Sequence, residues 1–80
     1  MNITIKASEI PEYYRKPRLI KPDEVLTVRG ADRAGTGWLF WLDDEDGGAA
    51  GAVYGFELEE AARRRVLEQL LDFFDREEYG

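Results

Sequence analysis

Over residues 59–77 apolar side chains return at helical spacing, and that segment constrains the fold more than any other. Placed on a helical wheel, Ala62, Val66, Leu67, Leu70, Leu71, Phe73 and Phe74 fall in one half. Arg64, Arg65, Glu68, Gln69, Asp72, Asp75 and Arg76 fill the other. An amphipathic helix of this length needs a flat apolar surface to cover. Arg64 with Glu68 and Asp72 with Arg76 stand four residues apart, each pair contributing about 0.2–0.5 kcal/mol. Glu57, Glu59 and Glu60 suit the positive end of the helix. Asp75, Glu77 and Glu78 meet the negative end, so the last turn is expected to fray without a basic partner.

The rest of the chain offers strands. NITIK alternates Ile3 and Ile5 with Asn2, Thr4 and Lys6, the period-two pattern of a half-buried strand. Ser8 has N-cap chemistry before EIPEYYRK, but Pro11 and Pro17 limit any helix there to a turn or two. Residues 16–22, KPRLIKP, are expected to be extended, because a residue preceding proline is pushed out of the helical region. DEVLTVRG gives a second strand with Leu26 and Val28 on one face and Val25, Thr27 and Arg29 on the other. GADRAGTG, residues 30–37, has the composition of a turn. WLFWL does not alternate, so both faces of this third strand should be covered. DDEDGGAAG is a second connection, and AVYGFEL a fourth strand with Tyr54, Phe56 and Leu58 opposite Val53, Gly55 and Glu57. No internal repeat stands out. The expected fold is α+β, one domain over residues 1–80: a small antiparallel sheet of three to four strands with one long C-terminal amphipathic helix packed on one face. Leu39, Trp41, Val25, Thr27 and Val53 would lie on the other face, and the segment holding Tyr13, Tyr14, Leu19 and Ile20 is expected to cover it.

Most chemistry is excluded by what is missing. With no Cys and no His there is no disulfide, no thiolate, and neither the commonest metal ligand nor the commonest general base. Ser8, the only serine, has no His to activate it. The run Asp43, Asp44, Glu45, Asp46 fails as a calcium loop: with Gly47 as the turn glycine, Leu42 and Val53 fall where the first and last ligands belong. GADRAGTG puts Thr36 where a phosphate loop needs Lys, and it joins strands instead of opening a helix. A non-enzymatic protein without cofactor or metal is expected. The N-terminus lacks the pattern of a signal peptide, and no window is apolar enough for a membrane span, so a cytoplasmic location is the expectation.

Charge supplies the argument about partners. The net charge is −6, and residues 1–40 hold seven Lys or Arg against five Asp or Glu, while residues 41–80 hold four against twelve. So acidic a second half steers encounter with a basic partner. The candidate partner-binding residues are Trp41, Asp43, Asp44, Glu45, Asp46, Asp72, Asp75, Glu77 and Glu78, with Trp38, Tyr13, Tyr14 and Tyr79 as further aromatic anchors. Arg63 falls within the apolar half of the helix and is expected to reach solvent or pair with Glu59 or Glu60.

PEYY, residues 11–14, resembles a stretch of barstar-type nuclease inhibitors, from which the chain departs directly afterwards at Arg15 and Lys16. In size, acidity and aromatic content the chain resembles, by type, the anti-CRISPR and nucleic-acid-mimic inhibitors encoded by phages. That resemblance implies a stoichiometric inhibitor, cytoplasmic in the host cell, bound to a basic protein or nucleoprotein complex such as a CRISPR effector. Two other readings compete with it. Residues 15–21, with Tyr13 and Tyr14, carry the basic and aromatic mixture of a single-stranded nucleic-acid groove. Alternatively, the open sheet face pairs two copies into a homodimer.

Overall fold

Ile3 and Ile5 are buried while Thr4 and Lys6 are exposed, as the alternation in Ile3–Lys6 (β1) requires. The computed structural model describes residues 3–79, with side chains as far as residue 72. Three further strands follow, Val25–Ala34 (β2), Gly37–Asp43 (β3) and Ala49–Tyr54 (β4). They form one antiparallel sheet in the order β1-β2-β3-β4, so β2 and β3 are internal. Short helical pieces fill the first connection: a 3₁₀ turn at Ala7–Glu9, the helix Glu12–Arg15 (α1) and a 3₁₀ turn at Lys16–Arg18. A third 3₁₀ turn, Gly55–Glu57, leads into the long helix Glu60–Tyr79 (α2). The fold is therefore the expected α+β arrangement.

The core lies on one face of the sheet. Ile3, Ile5, Leu26, Val28, Phe40, Leu42 and Val53 project from the strands and meet Val66 and Leu70 of α2. Ala62 is fully buried and Leu67 packs at the margin, while Leu71 stays 62% exposed. The apolar stripe of α2 is thus narrower than half a wheel over the described residues. Phe73, Phe74, Asp75 and Glu77, with Glu78 beyond, have side chains outside the described residues.

Several sequence expectations are overturned, each for a local reason. The second strand continues through residues 30–34, and only Gly35 and Thr36 remain as the hairpin loop, Ala34 pairing with Gly37. Gly35 takes a φ of +61°, as a two-residue hairpin of this kind needs at its first position. The register slips between Val28 and Gly30, so Gly30 lies next to a bulge within the strand. A second slip, opposite Leu42 and Asp43, resets β4 and puts Val53 in the core and Tyr54 on the open face, the reverse of the expected sides. The strand ends at Tyr54, and the 3₁₀ turn brings Leu58 back to the core.

The connection between β1 and β2 does not cover the open face. Ala7, Ile10 and Tyr14 share the core with α2, and Leu19 is 88% exposed. Nor are residues 16–22 extended throughout: Lys16 is helical ahead of Pro17, and Leu19 closes the turn with a left-handed φ of 56°. Ser8 lies within the first 3₁₀ turn and caps nothing; Pro11 precedes α1.

One local motif occurs twice. KASEIPE and YGFELEE each end a strand, make a 3₁₀ turn, bury Ile10 or Leu58 and start a helix. Glu9 and Glu57 each accept the N–H three residues back, from Lys6 and Tyr54. The Glu59 N–H donates to the Glu9 carbonyl and ties the two copies together.

Candidate binding face

The pairing register places Trp41 between the two smallest side chains available on its face, Gly30 on β2 and Ala52 on β4. The indole is therefore 38% exposed on an internal strand. A shallow apolar depression of about 360 Å³ lies beside it, lined by Arg29, Gly30 and Trp41. The Trp41 Nε1–H donates to Asp32 Oδ2 at 2.8 Å, diagonally across the ladder, which fixes the ring while leaving part of it open. Leu39 and Tyr54 pair next to it on the same face. Tyr54 stacks on Phe56, with ring centroids 5.5 Å apart. Val25, Trp41, Tyr54 and Phe56 are all exposed; Val25 and Trp41 lie on the face away from α2, and Tyr54 with Phe56 stands at its edge, beside the first turns of α2.

Of the acidic run, three members work within the fold. Asp43, at the end of β3, faces Arg29 with Oδ1 3.5 Å from its Nε. Asp44 turns onto its own loop: Oδ1 accepts the N–H of Asp46 at 2.9 Å and of Gly48 at 2.8 Å. Glu45 Oε1 accepts the N–H of Val25 at 3.0 Å, where β2 begins. Asp46 projects from the exposed loop, followed by Gly47 at a φ of +85°. Asp43 and Trp41 share the open face, because they are two residues apart on one strand. Asp72 lies on α2, across the sheet from Trp41. The side chains of Asp75, Glu77 and Glu78 lie outside the described residues.

Structural contacts also engage three cations of the basic segment, Arg15, Lys16 and Arg18, together with its two tyrosines. Tyr14 is buried, its hydroxyl donating to the Ala50 carbonyl at 3.1 Å, and burial pushes its pKa up. The Arg18 guanidinium lies 4.0 Å from the centre of that ring and donates to the Tyr14 carbonyl. Arg15 donates to the Ile10 carbonyl, and Lys16 pairs with Glu12. Tyr13 is exposed and donates to Glu57, which holds the phenol above its ordinary pKa.

Sequence reasoning missed Asp32, Tyr54 and Phe56. The sequence places Asp32 in a loop, and residues 30–34, Gly-Ala-Asp-Arg-Ala, carry no alternation that would reveal its place on β2 opposite Leu39. Among the described residues no cluster of acidic side chains could hold a metal ion, and no helix is long and apolar enough to cross a membrane. Compared with family models, curated proteins and solved structures, the chain matches none.

Proposed function

We propose that this protein is a non-catalytic binding domain whose open sheet face docks on a basic surface of a nucleic-acid-handling complex, as a stoichiometric inhibitor of the anti-CRISPR type. The observation that carries the reading is Trp41: a large aromatic ring exposed on an internal strand and held in one orientation by Asp32. An aromatic anchor fixed before binding loses little entropy on association and contributes disproportionately to affinity. Asp32 and Asp43 share its face, and Asp46 extends the negative edge at the adjacent loop. The charge layout supports a basic target, since the excess of carboxylates in residues 41–80 accelerates encounter with Arg and Lys groups that otherwise hold phosphate.

The test is a parallel affinity capture from a lysate of CRISPR-bearing bacteria with the parent protein and with Trp41→Ser, eluted by stepwise salt. A Cas or other nucleic-acid-binding complex that is retained by the parent, released at moderate salt and lost with Trp41→Ser supports the proposal. Capture of nucleic acid alone favours direct binding through residues 15–21. A parent protein that binds only itself favours the homodimer.

A further inference from the structure

A second recess lies apart from Trp41, between the tip of the β2–β3 hairpin, the 3₁₀ turn after β4 and the first turns of α2. It measures about 590 Å³, within the ~300–1,000 Å³ range typical of ligand sites. Trp38, Tyr54 and Phe56 give it aromatic walls, and Arg63 with Leu67 closes the helix side. Phe56 is 76% exposed there, although a large ring is costly to leave in water.

Arg63 is the informative residue. Its two neighbours are paired, Arg64 with Glu60 at 3.0 Å and Arg65 with Glu9 at 3.0 Å. Among the described residues no carboxylate lies within ion-pair distance of Arg63, in a chain of net charge −6. Helix stability does not account for it, since a cation in the first turn opposes the macrodipole. A second guanidinium, that of Arg33, lies 4.9 Å from the Trp38 ring centre and likewise has no ion pair among the described residues. Aromatic walls beside unpaired guanidinium groups complement one carboxylate next to one large apolar side chain. A phosphate dianion fits less well, because Arg63 is the one charged side chain among the residues lining the recess.

We propose that this groove binds a peptide segment of a partner protein in which Asp or Glu adjoins Phe, Trp or Leu. The apolar side chain sits between Trp38 and Phe56, and the carboxylate meets Arg63. The recess shares Tyr54 and Phe56 with the edge of the Trp41 face but does not include Trp41, and it has the opposite charge preference.

The experiment titrates the isotope-labelled protein with the peptide acetyl-Gly-Asp-Phe-Leu-Gly-amide and with its Asn counterpart, reading amide chemical shifts. The Asp peptide is expected to shift Gly35, Gly37, Gly55 and the Trp38 indole. The Asn peptide, and the Asp peptide on Arg63→Gln, are expected to bind about tenfold more weakly, the loss of one charge-assisted contact. Arg63→Lys should recover part of that loss, and the spectrum of each variant reports whether it is folded. Equal binding of the two peptides, absence of binding by the Asp peptide, shifts centred on Trp41 and Ala52, or a stronger response to uridine monophosphate would each overturn the proposal.

Discussion

Glu9 and Glu57 hold equivalent places in two copies of one motif, and each is gripped by the helix that follows the other copy. Arg65 of α2 makes a two-pronged contact with Glu9, at 3.0 and 3.2 Å, while Tyr13 of α1 donates to Glu57. The two strand ends at opposite edges of the sheet are thereby locked to each other's helices. Arg65 also donates to the Thr4 carbonyl on β1. Side chains thus occupy backbone groups at both edges that could otherwise recruit another strand.

The Glu9 contact makes stability depend on acid. The Arg65 guanidinium holds the Glu9 carboxyl below its ordinary pKa of 4.5, outweighing the opposing effect of burial. The folded state therefore favours the charged form. Its contribution is fully present above the unfolded carboxylate's pKa and is lost as pH falls through the lower folded value. Glu9→Gln is expected to cost about 1–2 kcal/mol at neutral pH, discounted for the partly exposed Arg65, and to flatten the acid limb. Urea denaturation at neutral pH and again below pH ~3 checks both, the parent and variant converging at the lower pH.

Trp41→Ala should leave the fold intact, because the indole is 38% exposed and its cross-strand partners are only Gly30 and Ala52. A cost of about 1–2 kcal/mol is expected, against about 3–5 for Phe40→Ala in the core. Asp32→Ala should change stability by less than about 1 kcal/mol but accelerate exchange of the Trp41 indole proton about fivefold, the equivalent of one lost hydrogen bond. Thermal unfolding and indole proton exchange measured on the same samples separate anchoring from stability.

How far the sequence discloses these features follows from the range of the interactions. β1 and α2 are legible because each carries an unbroken period, Ile3 and Ile5 in one case, Ala62, Val66 and Leu70 in the other. β4 is not, because the slip opposite Asp43 and the turn at Gly55–Glu57 each reset the alternation that would have placed Val53 and Tyr54. The hairpin at Gly35 is masked by Gly30 and Gly37, which look like turn residues but pair within strands. Trp41 could be singled out from WLFWL itself. The roles of Asp43 and Glu45 could not, since each depends on β2 lying beside them, a neighbour 14 to 20 residues away in the chain.

Gly51 and Tyr14 form the tightest joint of the first connection. A Cβ at Gly51 would stand 2.8 Å from the Tyr14 hydroxyl oxygen and 3.1 Å from Arg18 Nε, and the backbone there has a φ of +97°. Gly51→Ala is expected to destabilise by about 2–4 kcal/mol from strain and displacement of the ring. Pairing it with Tyr14→Phe should recover only the steric part. Alkali probes the same joint: burial raises the Tyr14 pKa, so the contribution of the neutral phenol is complete below pH 10 and falls as pH rises through the higher folded value. Tyr14→Phe should remove that loss, seen as a shallower decline of the urea midpoint in alkali.

The acidic loop gives the sharpest separation of structural from binding charge. Asp44 accepts two loop N–H groups and Glu45 the N–H of Val25, so Asp44→Lys or Glu45→Lys leaves backbone donors unmatched and is expected to cost about 1–2 kcal/mol each. Asp46→Lys touches no such bond and should stay within about 0.5 kcal/mol of the parent. If the loop steers a basic partner, Asp46→Lys lowers the association rate and its salt dependence while the denaturation midpoint stays unchanged. Stopped-flow association at two ionic strengths, set beside urea denaturation, measures both. An unchanged rate for Asp46→Lys would confine this loop to holding β2, β3 and β4 in register and leave the affinity to Trp41 and its face.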